Sequence, residues 1–226
     1  YGLVNSRLQL RGEFGANWSS AGKASPIGGG GATLFVTDKL QLDFDVSRRF
    51  INYLPQPILF DISRIQYRGA ANLQITRGTT LHFDYIHEQY SDSNQNNGGN
   101  ISLMQNLLNR ERVKVQAGYL FAISGFDHVG TTGFFTPTSF MRHAALGDTQ
   151  FKLSKSSGVS FWGSLGREEV FNQSFRWDGT ARAAWDYQFT PKLKSSLGYG
   201  YFAVSSIGGS TAYITHTMYS TLQYTF

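Results

Sequence analysis

The feature that most restricts this chain is an alternation of apolar and polar residues that recurs along its whole length. In "RLQLRGEF" Leu8, Leu10 and Phe14 alternate with Arg7, Gln9, Arg11 and Glu13. In "LQLDFDVS" Leu40, Leu42, Phe44 and Val46 alternate with Gln41, Asp43, Asp45 and Ser47. Over residues 63–75, Ile65, Tyr67, Leu73 and Ile75 oppose Arg64, Gln66, Arg68, Asn72 and Gln74, and residues 112–121 and 177–189 repeat the scheme. Successive side chains of a strand point to opposite faces, so a period of two means strands with one apolar and one polar face. No amphipathic helical pattern competes.

The connectors sharpen this. Tight turns are predicted at 37–39, 77–78, 109–111, 155–158 and 190–192. Longer, polar or glycine-rich connectors are predicted at 19–31, 51–57, 91–99, 126–133, 167–173 and 205–210. Short turns at one rim and long loops at the other, with strands of about ten residues, define a transmembrane antiparallel up-and-down β-barrel. The expectation is all-β, about twelve strands, in one domain over 1–226. A soluble sandwich or lipocalin-like barrel also alternates. There, however, the polar face is outermost and aliphatics fill the core. Here the apolar face is rich in Trp18, Tyr85, Tyr119, Trp185, Tyr187, Phe189, Tyr201 and Tyr224 near strand ends, which suits interfacial girdles.

Composition narrows the classes further. Charged residues are 15%, against about 25% in ordinary soluble domains, and aromatics reach 15%. No stretch approaches the ~18 apolar residues of a membrane helix, and mean hydropathy is −0.26. The net charge is +5, but Lys and Arg are scattered among acids without a basic run, which argues against nucleic acid as a partner. Cysteine is absent, so there is no disulfide framework or thiolate chemistry. The N-terminal "YGLVNSRLQL" has neither an initiator Met nor a signal-peptide core, as expected of a mature form or a C-terminal fragment.

The last residues, "MYSTLQYTF", set the parity. Phe226, Tyr224, Leu222 and Met218 share one face; Thr225, Gln223 and Thr221 share the other. If the first set meets lipid, the opposite face of every strand lines the lumen. The basic candidates are then Arg7, Arg11, Arg64, Arg68, Arg112, Lys114, Arg142, Lys152, Arg182 and Lys194. The acidic ones are Glu13, Asp43, Asp45, Asp84, Glu88, Asp148, Asp178 and Asp186. Such a lining steers a polar solute through many weak contacts. The plainer alternative is that these groups pair across strands and fill the interior.

Catalytic readings find little support. His82, His87, His128, His143 and His216 lack metal-ligand spacing, and His82 and His87 point to opposite faces. His87 and His143 fall on the apolar face, where a barrel lipase would hold its histidine, but neither has a convincing serine partner. The glycine runs 28–31 and 208–209 do not join a strand to a helix, so no phosphate cradle is formed. No enzyme activity, metal or cofactor is expected.

Two resemblances extend this reading. The segment ending on Leu222, Tyr224 and Phe226 resembles the terminal strand of bacterial outer-membrane barrels, which implies recognition by the barrel-assembly machinery. "TGFFTPTSF" at 132–140 and "SFWGSLGR" at 160–167 resemble the barrel of the cellulose synthase operon protein C family of exopolysaccharide-export porins. The matching positions are Gly133, Phe134, Phe135, Thr136, Pro137 and Phe140, with Gly163, Leu165 and Gly166 from the next strand. Thr138 stands where that family usually has Gln, its barrels have about sixteen strands, and its periplasmic helical repeats are absent here. The resemblance implies a Gram-negative outer-membrane conduit for a hydrophilic substrate, most directly an exported polysaccharide. Gly133, Phe134, Phe135, Pro137 and Phe140 would then form a gating loop. Implied partners are outer-membrane lipid and lipopolysaccharide, with periplasmic export or synthase components. Alternatives are a closed structural barrel anchoring a trans-envelope complex, a small-solute porin, and an enzyme acting on outer-membrane lipid.

Overall fold

The computed structural model describes residues 2–5, 7–18, 24–50, 62–129, 136–171, 175–204 and 213–224. Thirteen strands succeed one another: β1 Gly2–Asn5, β2 Leu8–Trp18, β3 Ala24–Phe35, β4 Leu40–Phe50, β5 Ser63–Gln74, β6 Thr79–Tyr90 and β7 Gln95–Asn109. They continue with β8 Val113–Phe126, β9 Phe140–Lys152, β10 Ser157–Val170, β11 Arg176–Thr190, β12 Leu193–Val204 and β13 Tyr213–Tyr224. β1 is a four-residue stub paired with β2; the other twelve run 11–15 residues. Strand order in the single sheet follows chain order, each strand beside the one before it, so the up-and-down antiparallel expectation holds. By Cα packing the chain divides into two compact units. One comprises Tyr1–Ile75, Thr80–Ile101 and Ala122–Met141; the other comprises Thr76–Thr79, Ser102–Phe121 and Arg142–Phe226.

Three connectors expected to be long are shorter than their composition suggests. The run 91–99 contributes a tight turn at 91–94 and then enters β7, because its inward amides find partners. Asn96 Nδ2 donates to Glu88 Oε2 (2.9 Å), and Asn94 Nδ2 donates to the His128 carbonyl (2.8 Å). Ser93 takes the positive φ of 69° that closes this turn. Residues 167–170 extend β10, where Glu168 stands opposite Arg176 in the ladder. The glycines 28–31 lie inside β3 rather than in a loop, paired with β2 and β4 on either side.

Burial runs opposite to that of a water-soluble protein. Asp84, Glu88, Asp178, Glu168, Asn94 and Asn96 are buried, while Phe44, Phe83, Ile101, Leu103, Phe161, Leu165, Trp185, Leu222 and Met218 are exposed. The ladders show that this follows strand parity. Asp45 sits opposite Arg68, Ala70 opposite Asp84, and Gln66 opposite Glu88, all on one face. Arg182 opposes Gly200, which opposes Thr217, so β11 to β13 keep the same polar face. The terminal assignment agrees: Leu222 and Tyr224 are exposed on the apolar face, while Phe226 lies outside the described residues. Large apolar residues also stand in the polar rows, among them Ile86 opposite Arg68, Phe35 opposite Gln41, Trp162 opposite Arg182 and Tyr219 opposite Gly198. Aromatic pairs punctuate the apolar face: Trp185–Tyr187 at 6.0 Å and Tyr187–Phe189 at 4.8 Å near the short-turn end, and Tyr201–His216 at 5.6 Å nearer the other. Such residues anchor strands at membrane interfaces.

A charge on a lipid-facing barrel position costs about 2–4 kcal/mol at mid-membrane. On a water-facing surface the same change stays within about 0.5 kcal/mol. Phe44→Arg, mid-way along β4, is therefore expected to lower unfolding stability in lipid vesicles by the first amount. An effect under 0.5 kcal/mol would show that Phe44 faces water.

Candidate functional site

In the first unit the polar face carries a closed circuit of side chains. Arg11 on β2 donates from Nε to Asp45 Oδ1 on β4 and from Nη1 to Thr33 Oγ1 on β3, both at 2.9 Å. Thr33 Oγ1 donates to Asp43 Oδ1 (2.6 Å), and Asn72 Nδ2 donates to Asp43 Oδ2 (3.4 Å). Asn72 Oδ1 accepts from His82 Nδ1 (2.7 Å), which leaves His82 Nε2 3.6 Å from Asp84. Arg68 Nε donates to Asp84 Oδ2 (2.6 Å), and Arg68 returns to Asp45 at 3.7 Å. Linked groups of this kind polarise one another and hold a single arrangement, provided that all are satisfied.

Beside the circuit, Glu88 is held on three sides. Arg64 Nη1 donates to Oε1 (2.7 Å), and the Tyr90 hydroxyl and Asn96 Nδ2 donate to Oε2 at 2.7 and 2.9 Å. Burying this carboxylate is tolerable because charge and hydrogen bonds are both supplied. Glu13 pairs with Arg49.

The second unit repeats the device with fewer members. Arg142 on β9 donates from Nε to Asp178 Oδ2 on β11 (2.7 Å) and from Nη2 to Ser164 Oγ on β10 (2.8 Å). Ser164 in turn hydrogen-bonds Thr180 (2.7 Å). The two halves share a geometry: an arginine on one strand, an aspartate two strands on, and a small residue between. Between Arg11 and Asp45 that residue is Gly31, which the ladders place opposite both. A Cβ on Gly31 would collide with Asp45 Oδ1, lie 2.7 Å from the Phe44 carbonyl and 3.0 Å from Arg11 Cζ. Glycine inside a strand here marks close approach, and it explains the glycine run that composition alone suggests is a loop.

The other expected residues are less gathered. Asp186 accepts from Ser196 Oγ (2.7 Å) and lies 3.4 Å from Lys194. Arg182 stacks its guanidinium over Trp162 at 5.5 Å. Gln150 Nε2 donates to Asp148 (3.3 Å). Arg7 precedes β2, its carbonyl accepting from Phe35 N (2.8 Å). Lys114 is exposed on the polar face of β8. Of the gating segment, Gly133, Phe134 and Phe135 lie outside the described residues. Pro137 is fully buried and its carbonyl accepts from Phe126 N (2.8 Å), while Phe140 opens β9. Thr136 is buried beside Pro137, and Phe126 packs against Tyr90 with ring centroids 5.5 Å apart. The end of this connector is thus pinned to the long-loop end of the polar face.

Sequence reasoning missed Thr33, Asn72, Asn94, Asn96, Ser164 and Glu168. The first two and Ser164 were legible, since the same parity applied to neutral residues places them with the charges. The asparagines and Glu168 sat in runs read as loops. His87 and His143 have no serine partner among the described residues: His87 Nδ1 donates to Asn97 Oδ1 (2.9 Å), and His143 shares a hydrogen bond with Tyr119 beside Phe121.

No family model matches the chain, and no curated protein matches it in sequence. Solved structures do. A bacterial polysaccharide outer membrane secretin superimposes with a TM-score of 0.85 at 9% identity, covering 98% of this chain and 77% of that one. The NanC porin matches with a TM-score of 0.53 at 8% identity, over 98% of this chain and all of the porin. CdiB from Acinetobacter baumannii matches with a TM-score of 0.53 at 10% identity, over 89% of this chain and 45% of that one. At these identities the likeness speaks to fold: the chain is an up-and-down β-barrel of the outer-membrane class. Among the structures compared, it is similar to the polysaccharide secretin over most of the length of both chains.

Removing one partner of a buried ion pair costs about 3–5 kcal/mol, whereas removing both costs less. Arg142→Ala is expected to destabilise the barrel by about 3 kcal/mol in denaturant unfolding, and Asp178→Ala added to it should restore part of that loss. Additive losses would show that the pair is not coupled. Overpacking costs about 1–3 kcal/mol, so Gly31→Val should lower the unfolding midpoint. Gly69→Ala, where an added Cβ meets nothing within 4 Å, should leave it in place.

Proposed function

We propose that the chain is a conduit for a hydrophilic polymer across the outer membrane of a Gram-negative bacterium, with the polar face as its lumen. The observation that carries this reading is the inverted burial. Charged side chains on alternate positions of the long strands share one face, and exposed aromatic and aliphatic side chains share the other. A face rich in carboxylates, guanidiniums and amides replaces hydration contacts for a polar chain. The likeness to a polysaccharide secretin and the Gly133–Phe140 resemblance favour an exported polysaccharide as the substrate class. The connector pinned at Pro137 would then narrow the long-loop mouth, the side that faces outward in barrels with short periplasmic turns.

One observation favours a closed barrel instead: the circuit from Arg11 to Asp84 lies across the polar face of five strands. Planar bilayers separate the two. The conduit is expected to give discrete conductance steps in the unmodified protein. No current from the unmodified chain, with steps appearing only in Arg11→Ala/Asp45→Ala, would establish the closed barrel.

A further inference from the structure

Arg11 and Arg142 each find an aspartate two strands away, but the polar face near the short turns of the second unit carries cations that do not. Arg112 and Lys114 stand at the start of β8, Lys152 ends β9, and Lys155 lies in the turn that follows. Among the described residues no hydrogen bond or ion pair engages these four side chains. They border a cavity of about 530 Å³ whose opposite wall carries Asp186 and Lys194. That volume is within the roughly 300–1,000 Å³ of small-ligand sites.

The floor explains why the cavity stays open. Gly158 and Ser160 are the polar-face residues of β10 here, opposite Asp186 and Ala184. As at Gly31, the middle strand is small, but the acid that would cross it is already engaged. Asp186 is taken by Lys194 and Ser196, and Glu111 sits exposed in the turn. Five cations face two carboxylates along this lining, a net charge of +3. Uncompensated like charges held on a rigid wall of low dielectric focus potential into the cleft and concentrate anions there. The lining also carries Gln150, Gln188 and Ser160, hydrogen-bonding groups of the kind that engage the hydroxyls of an acidic sugar chain.

We propose that this trough is a subsite for a polyanionic glycan of the uronate type at the short-turn mouth of the barrel. It rests on the conduit reading for its meaning, yet it is measurable without transport. Short turns mark the periplasmic rim, so the subsite stands where an outbound chain would enter.

The test is equilibrium binding of trigalacturonate to the folded 226-residue chain in detergent at low salt, with folding checked by circular dichroism. Lys114→Gln/Lys152→Gln is expected to weaken binding by about tenfold, as two charge contacts are lost. Lys39→Gln/Arg77→Gln, in turns outside the cavity, should leave it unchanged. Maltotriose, neutral and of similar size, should not bind. Equal affinity in the Lys114/Lys152 variant, equal binding of maltotriose, or inorganic phosphate binding as tightly as trigalacturonate would each overturn the assignment. A chain that binds trigalacturonate yet passes no current would contradict the conduit and leave the subsite standing.

Discussion

Three ion pairs of the polar face, Arg11–Asp45, Arg49–Glu13 and Arg142–Asp178, depend on one kind of reach: a charged side chain crossing an intervening strand to meet its counter-ion. Glu88 is buried with Arg64, Tyr90 and Asn96 all donating to it, and Asp178 with Arg142 reaching it across β10. That reach needs a low residue beneath it, supplied by Gly31 in one unit and by Gly166, opposite Asp178, in the other. The charge pairs therefore do more than match sign. They set which residue types the middle strands can carry, and with that the register in which neighbouring strands settle. A slip of one residue would send every charge to the lipid face.

The same requirement governs the backbone. In lipid each N–H and C=O must be paired within the sheet, and each long strand lies beside its chain neighbours. Energetically, the apolar face needs only lipid contact, while the polar face needs explicit partners. This is why specificity is concentrated in arginines, aspartates and amides, and why the lipid face tolerates a loose mixture of Leu, Ile, Phe and Tyr. Where a counter-ion is missing, as around Lys114 and Lys152, the same architecture yields an open trough in place of a filled one.

Much of this was legible from residue spacing. Period two located the strands, and the parity set by Leu222 and Tyr224 sorted Arg11, Asp45, Arg68, Asp84, Arg142 and Asp178 onto one face. Spacing could not say which charges meet. Arg11 to Asp45 and Arg142 to Asp178 skip a strand, a contact that depends on three-dimensional clearance rather than adjacency. Composition misled at two places for one reason. Glycine and asparagine weaken isolated strands, but here Gly31 clears space and Asn96 donates to Glu88, so tertiary demand overrides local preference.

One face of each strand meets lipid and the other does not. Because the chain contains no cysteine, single cysteines can be placed along β11 without background. In proteoliposomes a water-soluble maleimide should modify cysteines at Thr180, Arg182 and Ala184. Cysteines at Ala181, Ala183 and Trp185 should resist it and, once carrying a fluorophore, be quenched by brominated lipid. Uniform modification along the strand, or quenching at the even positions, would contradict this division into a lipid face and a polar face.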